Sequence, residues 1–149
     1  MVTHIHPMLQ LETIIGRWKT SGVALDEHGR QTSKIESTDE HKWMTGGRWI
    51  LHRVDVMMGG SEHTRALELI GDFDPEADTY AMRAFDTSGS YSTMTARPNA
   101  DGSWLFDGEA MRSTLRPAED GSSMSARWER DPGTGTWIPW IRMDFAAIE

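Results

Sequence analysis

The residues with the widest chemical reach in this chain are two histidines, His41 and His52, set in segments where apolar residues alternate with polar ones. An imidazole changes charge near neutral pH. Inside an apolar enclosure it can act as a general acid or base, ligate a metal, or hydrogen-bond a ligand carbonyl. The plainer reading is a core histidine bonded to a backbone carbonyl. Asp39 and Ser37 precede His41 by two and four residues, so on a strand all three share one face. Steps of about 7 Å along that face are too long for a Ser/Asp/His relay, and nucleophilic hydrolysis is not expected. Glu68 is the second carboxylate expected to point inward. Buried carboxylates need partners. An imidazole paired with Asp39 or Glu68 would have a raised pKa, whereas one alone in an apolar wall would have a lowered pKa.

The other histidines offer less. His4 and His6 have the spacing of two ligands on one strand face. No third ligand lies near them and chain ends are poorly held, so no metal site is expected. His28 falls in a turn and His63 at the start of a strand, both expected in water. The chain has no cysteine. That excludes disulfides, thiolate metal sites and a cysteine nucleophile, and it fits a reducing, cytoplasmic setting. No phosphate-binding loop, dinucleotide glycine motif or zinc-protease helix is present, and no cofactor is expected.

Aromatic and sulfur-bearing residues make the second set of candidates. Seven tryptophans and ten methionines in 149 residues imply a large aromatic-lined core or cavity. Trp43, Trp128, Tyr80, Met58 and Met82, with His41 and His52, are the residues expected to line a ligand pocket. Ordinary core packing explains the same residues equally well. Trp18 is expected to close one end of the fold. Pro139, within Trp137-Ile138-Pro139-Trp140, cannot donate to a sheet ladder, so its strand is at an edge or bulged. An aromatic pair beside such a break suits a barrel mouth or a homodimer contact.

Strands must position these groups. Turn clusters such as Asp26-Glu27-His28-Gly29, Asp74-Pro75, Asn99-Ala100-Asp101-Gly102 and Asp131-Pro132-Gly133 recur at short intervals. Between them lie ten strand candidates: 17–25, 33–45, 48–58, 63–73, 79–86, 90–97, 103–107, 110–116, 122–130 and 136–148. Only Pro7–Ile15 has helical spacing, with Pro7 at its start and Gly16 at its stop. Alternation turns Ile35, Ser37, Asp39, His41, Trp43 and Thr45 inward, and likewise Ile50, His52, Val54, Val56 and Met58. The facing of 63–73, 90–97 and 136–148 is ambiguous. Residues 1–149 therefore read as one all-β antiparallel barrel of eight to ten strands with a short N-terminal helix.

Charge and hydropathy narrow the partners. Fifteen basic against twenty-three acidic residues give a formal charge of −8, so no nucleic-acid footprint is expected. No apolar run approaches the roughly 20 residues that span a bilayer. The first residues lack the basic and apolar regions of a secretory signal. No membrane association is expected.

Gly16-Arg17-Trp18, at the junction of helix and first strand, resembles the Gly-x-Trp signature of lipocalins and related calycin barrels. Gly46-Gly47-Arg48-Trp49-Ile50-Leu51 resembles the Gly-Gly-Arg-Phe-Leu-Leu stretch of a bacterial lipocalin-like family, domain of unknown function 1579. Leu69-Ile70-Gly71-Asp72-Phe73-Asp74-Pro75 is similar to that family's Leu-Gly-Tyr-Asp-Pro turn, with Asp72 as an extra residue. Tyr80 through Asp86-Thr87-Ser88-Gly89 resembles its next strand and turn. The resemblance covers roughly residues 9–145. It implies a calycin-type barrel with an interior cavity. It further implies a basic residue on the last strand packed over Trp18, with Arg142 the candidate, although alternation turns Arg142 outward. Nitrobindin-like haem barrels take their iron ligand from a late histidine, and here the last is His63.

The function expected is that of a small-molecule binding protein, holding an apolar or aromatic ligand, a carboxylate-bearing one included, in the barrel lumen. The alternative is a cofactor-independent isomerase, cyclase or dehydratase using His41 or His52 as acid or base. A filled barrel serving as an interaction domain is the third reading.

Overall fold

The β-branched and aromatic runs between the turns form ten strands. The structure is a computed structural model that describes residues 7–58 and 62–148; the side chains of Met58, Glu62 and His63 lie outside the description, as do His4 and His6. A 3₁₀ helix, Pro7–Ile14, leads into β1 (Gly16–Leu25), β2 (Gln31–Trp43), β3 (Trp49–Met58), β4 (Glu62–Asp74) and β5 (Thr79–Asp86). Then follow β6 (Tyr91–Pro98), β7 (Trp104–Asp107), β8 (Met111–Pro117), β9 (Ser123–Arg130) and β10 (Ile138–Ile148). Each strand pairs antiparallel with its neighbour in sequence, and β1 closes the ring against β10. Closure leaves no unpaired edge along the sheet.

Period-2 burial holds along β2, where Ile35, Ser37, Asp39 and His41 are all buried. Thr45, expected on the same face, instead lies exposed in a turn. The Met44 amide bonds the Trp49 carbonyl and the Gly47 amide bonds the Met44 carbonyl, so the strand ends before Thr45. The ambiguous strands are settled by register. Ala66, Glu68 and Ile70 of β4 turn inward and Leu67 outward; Ala96 of β6 is buried. In β10, Met143 and Phe145 face in while Arg142 is exposed. Arg142 pairs with Val23, and the residue beside Trp18 is Ala147. Arg142 is therefore not the basic residue over the signature tryptophan.

The helix plugs one end of the barrel. Met8, Leu11 and Ile14 are buried against Trp18, Ile50, Tyr80 and Trp104. Two hydrogen bonds tie it there. Trp18 Nε1 donates to the Ile14 carbonyl at 3.0 Å, and the Tyr80 hydroxyl donates to the Pro7 carbonyl at 2.6 Å. Trp18 thus closes the barrel base as expected.

Among the described residues the sheet slips register at three places, between Ala24 and Leu25 and at two bulges that shape the wall. Register slips between Gly71 and Asp74, where Asp72 adopts φ 52°. The residue that is extra in the Gly-aromatic turn is thus absorbed by a left-handed bulge. A Cβ on Gly71 would lie 2.6 Å from the Arg48 carbonyl and from the Trp49 ring, so glycine alone fits. The second bulge lies between Pro139 and Ile141, where proline withholds its donor. It lets Trp140 and Ile141, neighbours in sequence, both reach the lumen.

Replacing Tyr80 by Phe leaves the Pro7 carbonyl without its donor. We expect a stability loss of about 1–2 kcal/mol, read as a lowered urea midpoint at unchanged slope. An unchanged midpoint would mean that apolar contacts alone hold the helix.

Candidate functional site

The register of β2, β3 and β4 places His41, His52 and Glu68 in one row across adjacent strands. Asp39 sits diagonally from His52, two residues along β2 from His41. Long side chains reach across such diagonals. His52 Nε2 lies 2.8 Å from Asp39 Oδ1, and its Nδ1 lies 3.1 Å from Glu68 Oε1. Both partners accept only, so the ring donates from both nitrogens and is an imidazolium. Asp39 Oδ2 accepts from Thr20 Oγ1 of β1 at 2.6 Å and from Ser37 Oγ at 2.8 Å.

Spacing along β2 left two contacts of this geometry open. Asp39 serves His52 across the sheet, not His41 along its own strand. Ser37 does reach Asp39, because the two side chains lean together more closely than the backbone step implies. Its hydroxyl faces the carboxylate, so it is held by an acceptor and not by a base that would activate it.

His41 stacks on His52, with ring centroids 3.8 Å apart and planes at 12°. It is only 7% exposed, and its Nδ1 has no hydrogen-bond partner. The two rings are driven in opposite directions. Burial disfavours a charge on His52, but the hydrogen bonds and charges of Asp39 and Glu68 outweigh it and push the ring up to about 9. Burial, with the neighbouring charge of His52, holds His41 well below the ordinary histidine value. Burial also opposes the Asp39 charge, yet the bond and charge of His52 and the Thr20 and Ser37 hydroxyls keep its carboxyl below the usual range.

These groups form one wall of a cavity of about 380 Å³ inside the barrel. Apolar side chains make up the rest, among them Val54, Met82, Leu115 and Met143, with Trp128 and Trp140 meeting edge to face at 6.1 Å. Ser113, 1% exposed, also lines it, and its buried Oγ has no hydrogen-bond partner. A wider groove of about 780 Å³ lies on the outer wall over Arg17, Glu40, Arg53 and Arg65. Its charged side chains end in water, so it lacks an enclosing wall.

Of the residues expected to line a pocket, His41, His52, Met82 and Trp128 do so. Trp43 and Tyr80 do not. Trp43 packs against the core cluster and Tyr80 is committed to Pro7, because the inward faces of β2 and β5 continue past the cavity to the plugged end. Met58 falls outside the described side chains. Sequence reasoning missed Thr20 and Ser113, short polar residues that no spacing distinguishes. Among the described residues, no group of three or more His, Cys, Asp or Glu is arranged to hold a metal ion.

Residues 3–145 match a family described as protein of unknown function (DUF1579). No curated protein matches. Among solved structures, the S-type phycobiliprotein lyase CPES from Guillardia theta superposes with a TM-score of 0.67 at 6% identity, covering 98% of this chain and 94% of that one. A de novo designed fluorescence-activating β-barrel superposes with a TM-score of 0.51 at 12% identity, covering 92% and 95%. Likeness at these identities concerns the fold alone.

The two histidines predict a stability maximum. His52 contributes fully below its unfolded value of 6.5, and its contribution is lost as pH rises through about 9. That span is worth on the order of 3 kcal/mol. The neutral His41 contributes above 6.5, and its contribution is lost as pH falls below that value. Chemical denaturation should therefore show stability greatest near pH 6.5. In His52→Gln the decline between pH 6.5 and 9 should vanish; its persistence would remove His52 as the source.

Proposed function

We propose, for a chain that belongs to the DUF1579 family of proteins of unknown function, that the barrel holds a small apolar or aromatic molecule in its lumen. One observation carries the reading. The cavity is apolar over most of its wall, yet two residues of that wall, His41 and Ser113, keep buried polar atoms, Nδ1 and Oγ, with no protein partner. Buried polar groups in native proteins are nearly always paired. Both residues line the lumen, and a ligand with a polar group would supply a partner for atoms that the protein leaves unpaired. A volume near 380 Å³ falls within the roughly 300–1,000 Å³ of small-molecule sites.

A second reading, acid–base catalysis in the same lumen, rests on His41 alone. His52 has both nitrogens bound to carboxylates and is already protonated, so it has no lone pair for a substrate proton. His41 is neutral, with Nδ1 unpaired, and among the described residues it is the lumen imidazole able to accept a proton. Binding with no chemical change to a bound compound supports the binding reading. Turnover lost in His41→Ala with binding retained supports the catalytic one.

The test is a titration with neutral aromatic dyes, read by dye fluorescence and tryptophan emission. Saturable binding is expected, and Trp128→Phe should remove much of the tryptophan response while Trp43→Phe leaves it. Ala84→Phe, which fills the lumen from β5, should weaken binding about tenfold or more with the fold retained. A flat titration with several unrelated dyes would overturn the proposal.

A further inference from the structure

We propose that the lumen selects its ligand by charge, taking apolar or aromatic molecules that end in a protonated amine and rejecting those that end in a carboxylate. The inference rests on the reading that a small molecule occupies the lumen, and it reverses the expectation that a carboxylate-bearing ligand would suit.

The charges on the cavity wall do not cancel. Asp39 and Glu68 bring two carboxylates to the cavity wall, and His52 between them brings one imidazolium. One negative charge is left in excess, and a neutral ring would leave two. Among the described residues, no lysine or arginine lines the cavity. Charges interact strongly where water is excluded. A ligand carboxylate would add like charge with no unpaired cation to meet it, since His52 is already bound by Asp39 and Glu68, whereas a ligand ammonium would neutralise the site.

The hydrogen bonds locate the excess charge. Asp39 receives three hydrogen bonds, from His52 on Oδ1 and from both Thr20 and Ser37 on Oδ2. Glu68 receives one hydrogen bond, from His52 to Oε1 at 3.1 Å. Its second oxygen has acceptor capacity to spare, since a carboxylate offers about four lone-pair sites. In the same row stands His41, 7% exposed, whose Nδ1 is unpartnered. With its proton on Nε2, that nitrogen is a second acceptor. A protonated amine has three donors and no acceptor, which suits a wall whose spare polar group is an oxygen of Glu68. The indoles of Trp128 and Trp140, brought from β9 and β10, give the ligand body aromatic faces, which also favour cations.

The experiment uses three probes of matched shape, phenylbutylamine, phenylbutanol and phenylbutyric acid, at pH 7 and physiological salt. Calorimetry measures each against the wild-type chain. We expect the amine to bind about tenfold more tightly than the alcohol, and the acid about tenfold more weakly. Glu68→Gln should bring amine and alcohol to within about twofold while alcohol binding persists. Ala84→Phe should reduce all three, which separates lumen binding from attraction of a cation to the acidic outer surface. Equal affinities for the three probes, or an acid that binds best, would overturn the charge selectivity and leave the lumen reading standing. An amine preference that survives in Glu68→Gln would overturn Glu68 as the counter-ion. Failure of even the neutral alcohol to bind would overturn the lumen reading and the selectivity with it.

Discussion

The bonds from His52 to Asp39 and Glu68 hold three ionisable groups largely out of water, and the first four strands depend on them. Such groups are costly to desolvate and tolerable only when paired. Removing one partner from a buried ion pair typically costs about 3–5 kcal/mol. Thr20 on β1, Asp39 on β2, His52 on β3 and Glu68 on β4 must therefore arrive together. A one-residue slip of any of these strands would turn its inward set to solvent and leave the remaining charges unpaired. Register in this half of the barrel is set by polar satisfaction as much as by apolar burial.

Stability alone does not explain why the cluster exists. Well-packed apolar side chains of similar volume often serve a core as well as an ion pair does, or better. The opposite end of the lumen shows that alternative. There Ile50, Ile70, Trp18 and Trp104 pack beneath the helix, and the few polar atoms are tied off by Trp18 and Tyr80. The barrel is thus divided along its axis into a plugged, apolar end and a cavity with a charged wall. The helix makes that division by filling space the strands would otherwise have to fill.

An up-and-down barrel says little about chemistry, because the fold hosts unrelated activities and the site decides among them. Here the site has a definite electrostatic character. His52 is a fixed cation spent on its neighbours. His41 is a neutral ring kept so by burial and by that cation. Stacking the two rings at 3.8 Å makes them a unit, in which the charge of one sets the proton affinity of the other. With Asp39 and Glu68 bonded to His52, the stacked rings give the apolar cavity one polar wall.

Strand number, turn positions and the single helix were legible because period-2 alternation and Asp/Gly turns are local signals, set by backbone sterics and side-chain hydrogen bonds within a few residues. Facing of β2 and β3 was legible for the same reason, and with it the inward placement of Asp39, His41 and His52. The resemblance carried by Gly16-x-Trp18 and the Gly-Gly-Arg stretch pointed to the same barrel. Local signals do not say which residues meet. That Asp39 serves His52 and not His41, that Glu68 completes the pair, and that Thr20 and Ser113 belong to the story are facts of cross-strand register. So is the placement of Trp43 and Tyr80 beyond the cavity, since depth along a barrel depends on stagger between strands and on where the helix sits. The two bulges, at Asp72 and beside Pro139, shift the alternation in mid-strand. Sequence determined which residues face inward on β2 and β3; only the closed sheet decided who their partners are, because hydrogen-bond partners lie about 5 Å away across a ladder but many residues away along the chain.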